Sequence, residues 1–414
     1  MLLTDLLKTA FRGISTHKSR MVLTILGIVI GITSIMAIMS VGKSAEQLIL
    51  GEIQKLGSNN VFILPGKEPK GPTDAAGSLI NDSIKQKDID DLSKSSNVPG
   101  ATNIIPYAFG SVASSFESNI YEGMVIGSTE YSQKNFDLKI EEGRYYDQYD
   151  VDSKSSVAVI GTEVKKELFG NDDSIGKRIK VNNRPFQVIG VLKKEGAGSF
   201  INFNQAVLAP YTSIQQDVLG IKYFQRVTVE TKSIEEIPGV IKDIETLLRN
   251  NHDISDTEED DFYIQTQENI ANSVKSVTGI LTVLLSSVAA ISLIVGGVGI
   301  MNIMFVSVTE RTREIGLRKS LGATNKNILT QFLYEALMLT LSGGIIGVIF
   351  GFLLSWGLSW AAQKFADIDF PLVFSIQGLI LGVVVSAGIG IVFGIFPAHQ
   401  ASKKSPVEAL RDEQ

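Results

Sequence analysis

The 414-residue chain has no cysteine and only three histidines, His17, His252 and His399. The absence of cysteine excludes disulfides, thiolate metal sites and cysteine nucleophiles, and three scattered histidines argue against a histidine-rich metal centre. The phosphate-loop pattern G-x-x-x-x-G-K-[ST] and the hydrolase patterns G-x-S-x-G and H-E-x-x-H do not occur. A net charge of −6 argues against nucleic-acid binding. We therefore expect no catalytic, cofactor-binding or metal-binding residue in this chain.

Charge is nearly absent from four apolar runs, each longer than the roughly 20 residues that a helix needs to cross a bilayer. The first run is longer than the apolar region of a signal peptide, and no small-x-small cleavage site follows it. We therefore read it as a retained membrane helix. The runs predict four transmembrane helices, at residues 21–42, 276–308, 328–361 and 375–397.

The second apolar run is too long for a single crossing. Its 34 residues would extend about 51 Å as a helix, against a hydrocarbon core of about 30 Å, which predicts a stalk beyond the membrane. Ionisable groups are almost absent within the spans, with only Glu335 near an edge, and this scarcity argues against proton-driven transport. Small residues at helical spacing predict close helix packing at Gly27, Gly31, Gly296, Gly299, Gly343, Gly347, Gly351, Gly390 and Gly394.

Lysine and arginine are distributed unevenly between the segments that flank the spans. Residues 1–20, 309–327 and 398–414 hold twelve, whereas the predicted outer loop at 362–374 holds only Lys364. The positive-inside rule places both termini in the cytoplasm, and the protein in the cell (inner) membrane as a multi-pass protein. Apolar residues at helical spacing within 1–20 predict an amphipathic helix at the lipid interface.

Residues 43–275 then form one large extracytoplasmic domain with 25 basic and 35 acidic residues. Strand, helix and strand patterns follow one another twice, at about 55–110 and 222–268, around a β-rich insert at about 111–215. The acidic segment 253–261 lacks the glycine and spacing of a calcium loop, and indicates a solvated loop. The fold class is thus an α+β membrane protein: four transmembrane helices with a βαβ-type layer and an inserted β-rich subdomain between helices 1 and 2.

The loop between the second and third spans is the most informative segment of the sequence. Ser307 and Glu310 have the spacing of a capping box, and Glu314 precedes Arg318 by the favourable four residues. Gly322 is expected to end this helix, before a threonine or asparagine caps the next. A loop that only fixed topology would need none of these features, so we interpret the segment as a docking helix for a cytoplasmic partner.

Several stretches together resemble one family, the MacB/FtsX-type permease subunits of ABC transporters. The most specific are MNIM at 301–304, ERTREIGLR at 310–318, LGA at 321–323, FPA at 396–398 and PVEALR at 406–411. In the outer domain, VIG at 159–161, LFG at 168–170, IGK at 175–177 and FQVIGV at 186–191 are also similar. By this resemblance the ATPase-coupling residues are Glu310, Arg311, Arg313, Glu314, Ile315, Gly316, Arg318, Leu321 and Gly322.

The resemblance implies a permease homodimer in the lipid membrane, bound to an ATPase. No fused ATPase precedes the first helix, so the split arrangement is expected, with ATP and magnesium on the partner chain and no cofactor on this one. The implied mechanism is mechanotransmission: the ATPases close, the coupling helices approach, and the long second helix drives the outer domains together. An amphiphilic substrate, such as a macrolide-like drug, a peptide or a lipid-like molecule, would leave from the outer side, with an adaptor resembling a membrane fusion protein.

Three alternatives remain open at this point. The same fold could extract lipoproteins from the membrane. It could instead regulate an extracellular cell-wall hydrolase without transport, as in the true FtsX subgroup, although the outer domain of that subgroup is smaller. The third alternative is a membrane-anchored binding protein without an ATPase.

Overall fold

The structure, a computed structural model, describes residues 18–55, 59–68, 81–194, 202–255, 257–366 and 370–406. These residues form two compact units: a helical unit of residues 18–48, 275–366 and 370–406, and an α/β unit of the described residues between 49 and 274. Most of the amphipathic helix predicted at 1–20, and the tail after residue 406, lie outside the described residues.

The elements alternate along the chain. The helices are α1 (Lys18–Lys55), α2 (Gln86–Leu92), α3 (Tyr131–Asn135), α4 (Gln148–Asp152), α5 (Thr162–Phe169), α6 (Tyr211–Ser213), α7 (Ile237–Asn251), α8 (Gln267–Glu310), α9 (Thr312–Ser320), α10 (Asn325–Ala366) and α11 (Ile376–Lys403). The strands are β1 (Asn60–Pro65), β2 (Ala101–Phe116), β3 (Asn119–Ser128), β4 (Ile140–Gly143), β5 (Val157–Ile160), β6 (Arg178–Val181), β7 (Arg184–Leu192), β8 (Ala206–Pro210), β9 (Arg226–Thr231) and β10 (Phe262–Thr266).

Four helices of the described chain are long and apolar enough to cross a membrane. They comprise Ile25–Gln54, Gln267–Glu310, Asn325–Phe365 and Ile376–Lys403, each with a mean hydropathy of at least 2.3 over its most apolar window. The predicted fold class, four spans with an α/β domain between the first two, is confirmed.

Each of these helices is longer than the span predicted for it. α1 continues past residue 42 to Lys55, and α11 passes through Pro397 to Lys403 instead of ending there. α8 has 44 residues, or about 66 Å at 1.5 Å per residue. The polar residues that flank an apolar run end the bilayer-compatible composition but leave the helical hydrogen bonds intact, which is why composition alone set these ends too early.

The first layer of the α/β unit contains β1, β2, β9 and β10 in the order β10-β1-β9-β2, with every neighbouring pair antiparallel. β1 and β2 therefore run in the same direction with β9 between them, and β9 and β10 run together with β1 between them. This is the split βαβ arrangement of ferredoxin-like layers. The predicted order of strand, helix and strand is right, but the connected strands are not adjacent.

Two helices cover this layer and share one apolar core with it. α7 buries Val240, Ile244 and Leu248 at the four-residue spacing of one helix face, against strand residues that include Val61 and Val229. α2 is the shorter of the two helices and has seven residues, Gln86–Leu92.

The β-rich insert is continuous with this layer through the 16-residue strand β2. Its first half pairs with β9, and its second half pairs with β3 from Ala108 onward. β3 to β8 extend the same ten-stranded sheet, and they include two parallel pairings, β3 with β8 and β5 with β7. Because one strand serves both parts, the insert is joined to the first layer without a flexible linker.

Candidate functional site

The short helix α9 stands between the second and third membrane-spanning helices. Arg311 leaves helical geometry (φ −102°, ψ 16°) after α8 ends, and Gly322, with φ +97°, follows the end of α9. Glycine adopts this left-handed conformation without a steric penalty, so the prediction that Gly322 stops the helix is confirmed. Thr324 then caps α10, because its Oγ1 accepts a hydrogen bond from the Asn327 amide at 3.2 Å.

The capping box predicted at Ser307 and Glu310 is wrong. Ser307 lies inside α8, and its carbonyl oxygen accepts a hydrogen bond from the Arg311 amide at 3.2 Å. A capping serine must instead occupy the first, non-helical position. The charged sequence therefore marks a break between two consecutive helices.

One face of α9 is buried within the helical unit. Thr312, Ile315 and Gly316 are buried, and Ile315 joins an apolar cluster that includes Ile328 and Ala398. Ile315 and Gly316 are among the predicted ATPase-coupling residues, and they lie on this packed face of α9. This face fixes α9 against α10 and α11.

A network of polar side chains reinforces the attachment of α9 to α10. Arg318 contacts Glu314 at 2.5 Å, as the four-residue spacing predicts, and donates a hydrogen bond to Gln331 Oε1 at 2.7 Å. Gln331 donates to Glu335 Oε1 at 3.4 Å, and Arg311 Nη1 lies 3.3 Å from Glu335 Oε2. Gln331 and Glu335 are both buried, and removing one partner of a buried charge pair typically costs about 3–5 kcal/mol. This network of polar side chains therefore holds both ends of α9 to the first turns of α10.

Lys319 attaches α9 to the end of α11. Its Nζ donates hydrogen bonds to the carbonyl oxygens of Ser402 and Lys404, at 2.6 and 2.7 Å. A lysine at a helix C-terminus satisfies carbonyls that lack an intrahelical partner. Sequence analysis missed Lys319 and Gln331, since a basic residue in a last turn and a glutamine near a span are both common without such a role.

The opposite face of α9 is exposed. Leu317 and Leu321 are 54% and 81% exposed, and they lie among the exposed Glu310, Arg313 and Glu314. An exposed face that carries both apolar and charged side chains is typical of a docking surface for another protein. We refer to these five residues as the docking face.

Glycines bring the membrane-spanning helices together. Gly343, Gly347 and Gly351 of α10 face α1, where a Cβ on Gly347 would lie 2.8 Å from the Ile32 Cβ and 3.0 Å from the Val29 carbonyl oxygen. The Thr33 hydroxyl donates a hydrogen bond to the Gly347 carbonyl at 3.1 Å. This row matches the predicted G-x-x-x-G face.

The other predicted glycines belong to further helix contacts. Gly27 and Gly296 meet directly, with a Cβ on Gly27 only 3.1 Å from the Gly296 Cα. Gly31 faces Leu293, and Gly390 and Gly394 face α10. Gly299 is half-buried. Two glycines outside the prediction also lie at close contacts, namely Gly297 against Phe393 and Gly344 against Ser386.

The acidic segment 253–261 is partly engaged in ion pairs within the α/β unit. Arg249 Nη1 lies 2.5 Å from Asp260 Oδ1, and His252 Nδ1 lies 2.7 Å from Asp261 Oδ1. Among the described residues, no group of three or more histidine, aspartate or glutamate side chains is placed to hold a metal ion. Two residues of this segment, Asp260 and Asp261, therefore have a structural role that the composition of the segment did not indicate.

The fold and the docking face define a class of protein. It is a multi-pass membrane protein in which a short helix, held by polar contacts, lies between the second and third membrane-spanning helices. Residues 21–247 match the family model of the MacB-like periplasmic core domain, and residues 286–406 match the FtsX-like permease C-terminal domain. The chain belongs to the MacB/FtsX-type family of ABC transporter permeases. Permeases of this kind act with an ATPase, so membership implies an ATPase partner.

Two relatives and one solved structure illustrate the similarity. The macrolide export ATP-binding/permease protein MacB of Neisseria gonorrhoeae is 36% identical over 410 residues, which cover 98% of this chain and 60% of that protein. The uncharacterized ABC transporter permease YknZ of Bacillus subtilis is 34% identical over the whole of both chains. The periplasmic region of MacB from Actinobacillus actinomycetemcomitans aligns with 54% of this chain and 95% of its own, at 24% identity and a TM-score of 0.46. This chain thus spans about 60% of the MacB relatives' length.

Proposed function

We propose that this chain is the membrane subunit of an ATP-driven exporter that works by mechanotransmission. An ATPase binds the docking face, and its closure on ATP moves α9. α8 carries that motion to the α/β unit, which expels an amphiphilic substrate, such as a macrolide-like drug, a peptide or a lipid-like molecule, from the outer side. The relatives named for macrolide export support this class of substrate.

The observation that carries the proposal is the two-sided character of α9. One face is fixed to α10 and α11 by Ile315, the Arg318 and Gln331 contacts and Lys319, while the other exposes Leu317 and Leu321. A force applied to the exposed face would therefore reach α10 and α11 through contacts that are already formed. A loop without the buried contacts would absorb such a force by local movement.

The partners and location follow from the same proposal. The basic residues of the α9 segment support a position of that segment, and of both termini, on the cytoplasmic side of the cell membrane. An exposed apolar row on α8, comprising Val277, Leu281, Leu284, Val288, Ile291 and Val295, alternates steps of four and three residues as helix-pairing seams do. This row supports a homodimer. An adaptor outside the membrane completes the proposed exporter.

The test is to purify the tagged full chain from its native membrane and identify co-purifying ATPases by mass spectrometry. Leu321→Asp places a charge on the docking face, where 81% exposure leaves folding unaffected. We expect at least about a tenfold loss of ATPase, corresponding to roughly 1.4 kcal/mol of binding free energy. Ile120→Asp, which makes the same change at a 70% exposed position of the α/β unit, should retain it.

Equal ATPase recovery with both variants, or none with the wild-type chain, would contradict the proposal. An ATPase whose activity rises with amphiphilic substrates supports export. An ATPase activity that does not change with amphiphilic substrates, together with a co-purifying extracellular hydrolase, indicates the regulatory alternative.

A further inference from the structure

A pocket of about 490 Å³ opens in the α/β unit where α2 of the first layer meets the segment after β8 of the insert. Lys85 and Lys87 line it from the start of α2, Lys154 from the end of α4, and Lys222 from the segment before β9. Three glutamines, a tyrosine and a threonine complete the wall: Gln86, Gln215, Gln216, Tyr211 and Thr212. We refer to Lys85, Lys87, Lys154 and Lys222 as the lysine cluster.

The lysine cluster runs against the charge of its surroundings. Residues 43–275 hold 25 basic and 35 acidic residues, yet four ammonium groups and no carboxylate line this pocket. In the described part of the chain, no carboxylate oxygen lies within ion-pair distance of any of the four. The charged groups that line the pocket are therefore all positive, and an anion bound there would be attracted by four ammonium groups.

The acidic residues beside the cluster are engaged elsewhere. Asp90 accepts a hydrogen bond from Gln86 at 2.9 Å, and Asp91 pairs with Lys94 at 2.7 Å. Asp88 accepts from the Lys85 amide at 2.8 Å and also contacts His252. Asp152 accepts from Gln148 at 2.8 Å. Each of these carboxylates thus has a partner other than an ammonium group of the lysine cluster.

The pocket wall is held in place by hydrogen bonds. Gln215 is buried and donates to the Tyr223 carbonyl at 3.0 Å, and Thr212 donates to the Val151 carbonyl at 2.8 Å. Residues Ile214–Val218 form a single turn of π-helix, a rare geometry that is frequent at functional sites. Lys154 has a left-handed backbone, with φ +52°, a conformation that is uncommon for residues other than glycine. The fold therefore fixes the backbone of the segments that form the wall.

The chemistry of the lining selects one kind of anion. All four cations are lysines, and each ammonium is a compact point charge without a fixed donor plane, so lysines from several segments can surround one group. A phosphate group carries about −1.5 to −2 charges on one tetrahedral group at pH 7, whereas a carboxylate carries a single charge. The volume accommodates a small headgroup but not a folded protein segment. A ligand with at least two negative charges gains most from four ammonium groups.

We propose that the lysine cluster is a binding site for a small phosphate-bearing anion with at least two negative charges. The anion is a phosphorylated lipid headgroup or a free phosphorylated compound, since both present the same group to the lysines. The site is independent of the docking face on α9, and it stands whether or not an ATPase binds there.

Isothermal titration of the full chain in maltoside detergent with pyrophosphate tests this site. We expect saturable binding that weakens as salt rises, because ions screen exposed charges. Lys87→Gln with Lys222→Gln should weaken it at least about tenfold, through the loss of two of four attractive charges. Lys166→Gln with Lys180→Gln removes the same charge from exposed positions outside the pocket, and should leave the affinity within about twofold.

Two further ligands distinguish the source and the chemistry. Tighter binding of dioctanoyl phosphatidic acid than of pyrophosphate identifies a lipid headgroup, and the reverse identifies a free compound; both support the site. Succinate binding as tight as that of both phosphate probes would contradict the choice of phosphate. Equal affinities of the two double variants, or no saturable binding of either phosphate probe, would overturn the proposal.

Discussion

At the residue scale, His252 is the clearest example of a polar group that holds elements together. Its Nδ1 lies 2.7 Å from Asp261 Oδ1 and its Nε2 3.3 Å from Asp88 Oδ2, and its side chain is only 9% exposed. It thereby joins the end of α7 to α2 and to the residue before β10. The ring also meets Phe262 edge-on at 5.9 Å. The neighbouring Asn251 donates to Asp88 and Asp91.

This cluster makes the stability of the α/β unit depend on pH. Contact with Asp88, and then with Asp261, raises the pKa of His252 above its ordinary value of 6.5. Burial would raise the pKa of Asp88, but the hydrogen bonds from His252 and the Lys85 amide outweigh it and hold that pKa below 3.8. The His252 contribution is therefore complete below about pH 6.5 and is lost as pH rises through its folded pKa, while that of Asp88 is lost as pH falls below about 4.

His252→Asn should destabilise the unit by about 1.5–3 kcal/mol at pH 6, the range for a hydrogen bond to a charged group, and by less at pH 9. Thermal unfolding of the full chain in detergent, followed by tyrosine absorption, measures this, since nine of the ten tyrosines lie between residues 107 and 263. His399→Asn, at an exposed position, is the control. An equal loss of stability at both pH values would refute the charged contribution.

At the element scale, the row Gly343, Gly347 and Gly351 sets how closely α10 approaches α1. Gly347→Ala puts a methyl group 2.8 Å from the Ile32 Cβ, closer than real carbon contacts, so we expect a loss of about 1–3 kcal/mol from overpacking. Gly357→Ala on the same helix meets nothing within 4 Å. That change should be neutral or stabilising by up to about 1 kcal/mol, because alanine favours helix over glycine.

Gly347→Ala should thus lower the unfolding temperature, whereas Gly357→Ala should leave it unchanged or raise it. Tryptophan fluorescence of the full chain in detergent reports the change, since Trp356 and Trp360 both lie on α10. Equal shifts for both variants would mean that the glycine row does not determine the packing.

Several elements were predictable because local physics and tertiary structure agree. The four spans follow from hydropathy, the stop at Gly322 from its backbone preference, and the Glu314–Arg318 pair from helical spacing. The capping box at Ser307 failed because α8 continues through it, and the hydrogen bonds of a helix already in progress override a local capping pattern. Lys319 was missed because its partners are carbonyls more than 80 residues away, which no local pattern encodes.

At the scale of the whole molecule, two candidate sites occupy different units and serve different chemistry. The docking face on α9 belongs to the helical unit, and the lysine cluster belongs to the α/β unit.

The strand order β10-β1-β9-β2 could not be predicted from the sequence, because the pairing of distant strands depends on crossovers that periodicity does not report. The chain has no cysteine, so a single introduced thiol can be labelled without background.

The most direct test of mechanotransmission is the distance between two outer domains with and without ATP. Tyr149→Cys provides a 76% exposed labelling position, and pulsed electron spin resonance on the complex with its co-purified ATPase measures the spin–spin distance between two copies. We predict that ATP shifts the distance distribution to shorter values, and that adding Leu321→Asp abolishes the shift. A distribution unchanged by ATP while the bound ATPase hydrolyses it would contradict the account.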